Sequence, residues 1–453
     1  MGKMWIFALA AVLAGALAIA TVGLTASYPV LPVALIGAIG VFGLFLVKKR
    51  DDLLSIGVVL FATLPVAYMA VPTAVGRYMT PTVIVLSVWL IRTRWSDLRP
   101  RRIPVLVVAG LFVAALLVVE TAVSINLVQS ATWSLPVLIG FIAVILVAGA
   151  RGPADYSRFL RTWAVLTIAL AAYGCVEWVA QSNPLANVYY ALGDLTRGNA
   201  YSVYRIRTTL GHPLANGTFF ATSAAVLLGA AVKSRSKLLY VAAGAGALAL
   251  ALTASRGALV GFVLAAVVIV GGLVFSARAS FGAKAATVVV SSAAVLVMIN
   301  SPLIAARQGS SEGSSSLDAR GPLNALTLRL LDVTGGLGSG PGTSETLAAM
   351  YGYGITIENS LFQAAISLGL PGVLGILLLF GLAFAAAIRN GAYHAMGGII
   401  AYLVSVASFN AWDTNPGIFA LAGLVCLLAF SATPAIRTAK TASPKLRRRA
   451  MTT

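Results

Sequence analysis

The chain consists largely of long, continuous apolar runs separated by short polar segments. A bilayer core about 30 Å thick needs roughly 17–25 apolar residues per helix. Because the runs are continuous and do not alternate between apolar and polar positions, they favour membrane-spanning helices over a β-barrel. About 14 spans of this kind are predicted, near residues 5–26, 28–47, 53–71, 78–91, 103–122, 133–149, 161–180, 213–232, 237–253, 257–276, 285–300, 360–388, 394–410 and 416–432. The fourth run is short and the hairpin at the second is tight, so 12 or 13 spans are alternatives.

The composition agrees with an all-α polytopic membrane protein. Of the 453 residues, 59% are hydrophobic and 10% are charged, whereas a soluble domain carries about 25% charged residues. So little charge cannot cover a water-soluble surface, which excludes cytosolic enzymes, disulfide-stapled secreted modules and nucleic-acid-binding proteins. Cys175 and Cys426 both lie in apolar runs and the chain has only two histidines, so we expect no disulfide framework, no zinc site and no cofactor.

The basic residues give the predicted helices a direction. The net charge is +19, and most lysines and arginines fall in alternate loops. Cytoplasmic loops carry an excess of Lys and Arg, so both termini are predicted to be cytoplasmic. Few basic residues fall on the other, outer side; they are Arg77, Arg197, Arg205, Arg207, Arg256, Arg307, Arg320 and Arg329. A signal peptide ending near Ala26 is an alternative for the first run, but that run is longer than usual and another span follows at once.

The spans divide the chain into five predicted units. These are N-terminal spans (about six) at 1–160, further spans with an outer loop (181–212) and a Ser-Arg-Gly turn (255–257) at 161–300, a large outer loop at 301–359, C-terminal spans at 360–433 and a basic cytoplasmic tail at 434–453. The large loop begins with a flexible Gly/Ser-rich stretch at 308–316 and continues with an amphipathic helical pattern at 323–331. The tail is expected to interact with anionic lipid headgroups.

A few outer charges next to predicted membrane ends are candidates for chemistry. Arg205 and Arg207 precede the eighth span, Arg256 lies in the turn before the tenth, and Glu358 precedes the twelfth. A guanidinium group is always charged and matches phosphate oxygens in a bidentate fashion. Several arginines at the outer interface therefore predict a site for the headgroup of a lipid-linked phosphate or diphosphate.

Each candidate also has a structural interpretation. A lone arginine at a helix end can extend to lipid headgroups. Ser360 and Gln363 have the S-x-x-Q spacing of a capping box for the twelfth span, and Glu358 can favour the positive end of that helix. His212 can be an ordinary turn residue, and the Gly-rich run at 335–342 can be an ordinary turn, because such runs alone are weak signs of phosphate binding.

Four segments in this order carry a resemblance to a known family. They are Arg207-Thr-Thr-Leu-Gly-His-Pro213, Ser255-Arg-Gly257, Gly338-Ser-Gly-Pro-Gly342 and the run from Glu358 to Leu374. Together they resemble the O-antigen ligase and O-antigen polymerase superfamily of bacterial envelopes, over residues 160–430. The resemblance implies a multi-pass protein of the bacterial inner membrane with a GT-C type B-like fold, a large periplasmic loop and an inverting, metal-independent glycosyltransferase activity. The implied donor is a glycan on a polyprenyl (di)phosphate, and the implied acceptor is a hydroxyl of a glycan, lipid or wall polymer on the extracytoplasmic face.

The resemblance also implies site residues. Arg207, with Arg205 as its rival, and Arg256 match the family's loop arginines, and together with Glu358 they are the expected catalytic residues. The expected substrate-binding residues are Arg205, His212, Arg320, Arg329 and Asn359, and no metal ligand is expected. The family usually has a histidine where Glu358 stands, so the role of that histidine does not transfer directly. A carboxylate there is a plausible base for the acceptor hydroxyl.

Two other function classes compete with this interpretation. A transporter or flippase for lipid-linked glycans would carry polar residues within its spans, whereas here Glu120 and Glu177 lie near the outer ends of theirs. The other GT-C subtype typically has an acidic residue in a long first outer loop, but the predicted loop at 26–29 is short and has none. Ligase and polymerase differ mainly in the acceptor, and no feature of the sequence distinguishes them.

Overall fold

The computed structural model describes residues 40–64, 80–93, 103–185, 203–274, 320–354 and 356–431, and a few isolated positions between 96 and 306. In these ranges the chain is helical and has no β-strand. The helices are α1 (Asp52–Thr63), α2 (Pro81–Ile91), α3 (Pro104–Ala122), α4 (Leu127–Arg151), α5 (Ser157–Ala180), α6 (Pro213–Ser234), α7 (Lys237–Leu252), α8 (Arg256–Val274), α9 (Arg320–Val333), α10 (Ser344–Met350), α11 (Ser360–Arg389), α12 (Tyr393–Val406), α13 (Ala411–Thr414) and α14 (Ile418–Leu427).

The long apolar helices confirm a multi-pass protein embedded in a membrane. Within the described ranges, six helices are long and apolar enough to cross a bilayer, namely α3, α4, α5, α6, α8 and α11. Shorter apolar helices, α1, α2, α7, α12 and α14, accompany them. The total of 14 spans stays a prediction. The expected spans at 5–26 and 285–300, most of the span at 28–47, the stretch at 308–316 and the tail at 434–453 lie outside the described residues, apart from isolated positions.

Helix α6 occupies the centre of the bundle. Of the 18 most apolar consecutive residues of α6, 94% are buried inside the protein, whereas the corresponding share for α3 is 33%. It packs against α5, α7, α8 and α12. Glycines allow the close approach, since a Cβ at Gly229 would overlap the backbone of His394, and small residues serve this purpose at helix contacts in membranes. The first residues of α6 therefore lie over the middle of one end of the bundle.

The loops of the bundle meet in two groups. At the end that we call the basic end, Arg151 donates to both carboxylate oxygens of Asp51 at 2.8 and 3.0 Å, and Arg158 donates to Asp52 at 2.7 Å. The described loops that the charge pattern assigns to the cytoplasm lie here, at 48–52, 89–93, 151–157, 234–237, 389–394 and 429–431. The loops assigned to the outer side meet at the opposite, distal end, at 180–183, 203–212, 253–256, 334–344, 357–360 and 407–413. Which end faces the cytoplasm stays a prediction from charge.

Helix α11 is broken near its distal end. Gly369 has φ 64° and ψ −179°, which is not helical. Pro371 follows two residues later and has no N–H to donate. The break leaves the carbonyls of Ile366 and Ser367 without their usual helical partners. Because the bilayer core offers no water to replace those partners, other backbone groups must supply them.

The Gly-rich loop at 335–342 supplies the missing bonds. The N–H groups of Ser339 and Gly340 donate to the carbonyls of residues 366 and 367 at 3.0 and 2.9 Å, and the N–H of Leu370 donates to the carbonyl of Gly336 at 2.9 Å. The loop thus takes over the backbone hydrogen bonds that α11 loses at its break. Its amides at 339 and 340 are engaged within the protein, which favours a structural role for the loop over phosphate binding.

The close packing of this loop can be tested with a matched pair of alanine substitutions. Gly340 has φ +116° and an added Cβ would overlap Ser124, whereas Gly335 has φ +58° and faces open space. Both substitutions strain the backbone, but only Gly340→Ala also forces an overlap. We expect Gly340→Ala to lower the free energy of unfolding by about 1–3 kcal/mol more than Gly335→Ala, measured by denaturation in detergent. Equal losses would contradict the packing described for the loop.

Candidate functional site

One buried carboxylate holds the backbone of the segment that carries Arg205 and Arg207. Glu177, in the last turn of α5, has an exposed fraction of 0%. Its Oε1 accepts hydrogen bonds from the Tyr204 hydroxyl at 2.9 Å and from the N–H of Arg207 at 2.8 Å, and its Oε2 accepts from the N–H of Thr208 at 2.8 Å. A carboxylate has room for about four such bonds. The two arginines therefore extend from a fixed backbone.

Amide side chains complete the support of this segment. Thr208 has φ +43°, a strained conformation for a β-branched residue. Asn183 donates to the carbonyl of Thr208 at 2.7 Å, and the hydroxyl of Thr208 donates to the side-chain oxygen of Asn216 at 2.8 Å. Asn216 in turn donates to the carbonyl of Ile206 at 3.2 Å. Sequence reasoning noted the position of Glu177 but missed its anchoring role, and it missed Asn183 and Asn216. A glutamate and an asparagine inside apolar helices are nevertheless a signal for polar contacts of this kind.

The segment lies against the turn that precedes Arg256. Arg205 is buried, and its Nε donates to the carbonyl of Thr253 at 2.7 Å. Ser255 packs against the N-terminal part of α6, where a Cβ added at Gly217 would overlap it. The structure therefore brings together the arginine segment, the start of the central helix and the turn that ends at Arg256.

Arg256 is the first residue of α8 and is half-buried. No carboxylate or hydrogen-bond acceptor of the described residues contacts its side chain. A cation at a helix N-terminus is disfavoured by the helix dipole, typically by about 0.3–1 kcal/mol, whereas an anion is favoured. The guanidinium group and the N-terminus of α8 thus attract negative charge at the same place.

His212 is the N-cap residue of α6. Its Nδ1 accepts a hydrogen bond from the N–H of Leu214 at 3.3 Å, and its ring stacks on Phe409 with centroids 6.5 Å apart. Burial, together with the charges of Arg205 and Arg207, lowers the pKa of His212 from 6.5 to about 4. The imidazole is therefore neutral at pH 7, and because Nδ1 is an acceptor, Nε2 carries the proton and can donate.

Asn359, and not Ser360, caps α11. Its Oδ1 accepts from the N–H groups of Leu361 at 2.9 Å and Phe362 at 3.2 Å. The capping box expected from Ser360 and Gln363 is therefore wrong. Asn359, an expected substrate-binding residue, has its side-chain oxygen engaged by this cap.

Ser360 and Gln363 stabilise a different helix, the short α13. The Ser360 hydroxyl donates to the carbonyl of Phe409 at 2.8 Å and accepts from the N–H of Ala411 at 2.9 Å. The Gln363 side-chain oxygen accepts from the N–H of Asp413 at 3.3 Å. The spacing of Ser360 and Gln363 predicted a cap on their own helix, but both side chains instead bind backbone groups about fifty positions away along the chain.

Glu358 is exposed, and none of the described residues forms an ion pair or hydrogen bond with it. Its segment reaches the same region of the distal end, because Ser360 binds Phe409, which stacks on His212. Ser408 also lies against Gly257, where an added Cβ would overlap its side chain. We call the group formed by Arg205, Arg207, His212, Arg256 and Glu358 the arginine site.

Arg329 lies in the outer loop and is engaged there. Its guanidinium donates to the Tyr353 hydroxyl at 2.6 Å and lies 5.8 Å from the centre of that ring, a cation–π geometry. Arg320 begins α9, and its side chain lies outside the described part of the structure. These contacts give Arg329 a structural partner within the loop.

The described residues contribute neither a metal-binding cluster nor a cleft to the arginine site. No group of three or more His, Cys, Asp or Glu side chains that could hold a metal ion occurs among them. Two shallow apolar clefts, one lined by Cys175 and Val179 and the other by Leu117 and Leu138, include no residue of the arginine site.

No protein-family model matches the chain, and no curated protein matches it.

The anchoring role of Glu177 predicts a local change in hydrogen exchange. In Glu177→Gln the side-chain NH₂ faces a backbone donor, so one bond to residues 204–208 is lost. A hydrogen bond to a charged group contributes about 1.5–3 kcal/mol, so we expect the amide that loses its acceptor, that of Arg207 or that of Thr208, to exchange roughly tenfold faster or more. Glu120→Gln, which changes a buried carboxylate on α3, is the control and should leave both amides protected. Unchanged exchange in Glu177→Gln would contradict the anchoring.

The neutral state of His212 predicts a pH dependence of stability. The unfolded imidazole binds a proton as the pH falls through about 6.5, but the folded one does so only near pH 4, so stability declines over that window. His212→Asn keeps an N-cap acceptor and removes this titration. Between pH 7 and pH 5 we expect the wild-type protein to lose about 1–2 kcal/mol more than His212→Asn; His394 is present in both and cancels. Parallel pH profiles from thermal unfolding would show that His212 is not buried and neutral.

Proposed function

We propose that the protein is a membrane glycosyltransferase of the O-antigen ligase/polymerase type. It transfers a glycan from a polyprenyl (di)phosphate to an acceptor hydroxyl on the extracytoplasmic face of a bacterial inner membrane, with inversion and without a metal ion. The observation that carries the proposal is the convergence, at the start of the central helix, of Arg205, Arg207 and the turn that bears Arg256.

The first requirement of this reaction is stabilisation of the leaving group. As the anomeric carbon–oxygen bond breaks, negative charge accumulates on the phosphate, and fixed cations aimed at it lower the barrier. Arg207 and Arg256 provide such cations, and the N-termini of α6 and α8 add partial positive charge. The backbone at Arg207 is held in place by Glu177 before the substrate binds, so the protein needs little reorganisation during the reaction.

The second requirement is a base for the acceptor hydroxyl. Glu358 is exposed at the distal end and has no ion-pair partner among the described residues, so its carboxylate is accessible to an acceptor that arrives from solvent. It accepts the hydroxyl proton as the oxygen attacks the anomeric carbon from the side opposite the phosphate. His212, with its proton on Nε2, is a neutral donor for a phosphate or sugar oxygen.

The distribution of lysines and arginines supports an extracytoplasmic location for the arginine site. The loops that carry most of the described lysines and arginines lie at the basic end, which the positive-inside rule assigns to the cytoplasm. The arginine site lies at the distal end, where lipid-linked glycans exposed on the outer face would meet it. The cytoplasmic loops carry no nucleotide-binding fingerprint, which fits a donor carried by a lipid.

A flippase for lipid-linked glycans is the second candidate, because broken helices are typical of transporters. Helix α11 is broken at Gly369. The groups freed by the break are bonded to the loop at 335–342 and do not face a transport path in the described structure. Turnover of a lipid-linked glycan by purified protein in detergent separates the two candidates, since a flippase would transfer nothing.

The arginine substitutions test the proposal in that assay. We expect Arg207→Ala and Arg256→Ala each to lower the transfer rate by about 10²-fold or more, as loss of one stabilising group commonly does, without loss of membrane insertion. Arg389→Ala, at the basic end, is the matched control and should transfer normally.

The same assay tests the proposed base. We expect Glu358→Gln to lower the transfer rate by about 10²–10⁴-fold, whereas Asp332→Asn in the outer loop is its control and should transfer normally. Full activity of Arg256→Ala would refute the phosphate-binding role, whereas full activity of Glu358→Gln would remove only the base.

A further inference from the structure

The outer loop forms a small layer with its own apolar core at the distal end. Leu326 and Leu330 of α9 pack with Leu347 of α10, and with Ile357 and Ile366. One face of α9 is thereby buried. Other apolar side chains of the loop remain uncovered, and their position relative to the spanning helices indicates what covers them.

Leu337 is the most exposed apolar residue of the Gly-rich loop, with 69% of its surface accessible. It lies directly beside the break in α11. The carbonyl of Gly336 accepts a hydrogen bond from the N–H of Leu370 at 2.9 Å, and the Cβ position of Gly336 is 3.7 Å from the Leu370 side chain. The loop therefore presents Leu337 next to Leu370.

Leu370 begins an apolar stripe on α11. Leu370, Leu374 and Leu378 are spaced four residues apart, so they lie on one face of the helix, and they are 50%, 62% and 49% exposed. On a helix that crosses a membrane, such a stripe faces lipid. Leu337 continues this lipid-facing stripe beyond the break, and Val333, exposed at the end of α9, lies one short turn earlier in the chain.

The continuity of this surface selects one kind of partner. Leaving a leucine side chain in water instead of an apolar environment costs about 1.5–3 kcal/mol. The hydrocarbon that covers Leu374 and Leu378 lies immediately below Leu337, so the same bilayer can cover it with no additional partner. Its neighbours in the chain are Gly336 and Gly338, which carry no side chain that could cover Leu337.

We propose that Val333, Leu337 and Leu370 form a membrane-contacting edge that inserts into the interfacial region of the distal leaflet. The partner is the boundary between headgroups and acyl chains, and the effect is to hold the outer loop at a fixed height on the lipid surface beside α11. The inference rests on the exposed apolar stripe and the loop contacts, and does not depend on the proposed enzymatic function.

Accessibility of a spin label in lipid nanodiscs tests the proposal. The full-length chain with Cys175→Ser carries a nitroxide at Leu337→Cys or, separately, at Val333→Cys; Cys426 is buried. Leu374→Cys is the lipid-facing reference. Asn324→Cys is the matched control on α9, because it is exposed and lies nine residues before Val333, on the opposite side of the helix.

The measured quantity is the ratio of the label's accessibility to oxygen to its accessibility to a water-soluble nickel chelate. We expect this ratio to be several-fold higher at residues 337 and 333 than at residue 324, and to resemble the ratio at residue 374. Preference for the nickel chelate at both positions would overturn the proposal by placing the edge in water. Low accessibility to both reagents would overturn it as well, by indicating contact with a second copy or another protein. Two independent label positions guard against a single variant that fails to fold.

Discussion

The distal end of this bundle depends on polar backbone groups finding partners where the bilayer supplies none. Two places meet this constraint in different ways. At the start of the central helix, the carboxylate of Glu177 accepts the N–H groups of Arg207 and Thr208. At the break in α11, the amides of Ser339 and Gly340 bond to the carbonyls that the break releases. In both places an irregular backbone near the membrane is held by the protein itself.

The same constraint explains how the segments that carry Arg205, Arg207 and Arg256 are held together at this end. A segment fixed by buried hydrogen bonds presents its arginines in a defined place, and such preorganisation is what stabilises charge that develops during a reaction. His212 caps the central helix and stays neutral beside Arg205 and Arg207. The site therefore combines permanent cations with a neutral donor, which suits an anionic headgroup better than a metal ion.

The sequence predicts the features that depend on local pattern and misses those that depend on distant partners. The spans near 103–122 and 213–232 match α3 and α6 within a few residues, because continuous apolar runs specify such helices directly. The prediction of a span at 360–388 did not include the break at Gly369, because the loop that bonds to this break lies earlier in the chain. The cap assigned to Ser360 was wrong because its partner is Phe409. The support that Glu177 gives its segment likewise depends on residues about thirty positions away.

We propose that cations at the distal end bind the phosphate of a lipid carrier, and a cryo-electron microscopy structure of the protein in nanodiscs with a prenyl diphosphate would show where this phosphate binds. We expect phosphate oxygens about 3 Å from the guanidinium groups of both Arg207 and Arg256, with the prenyl chain directed into the bilayer. A diphosphate at the basic end, or guanidinium groups too far apart to share one headgroup, would contradict it.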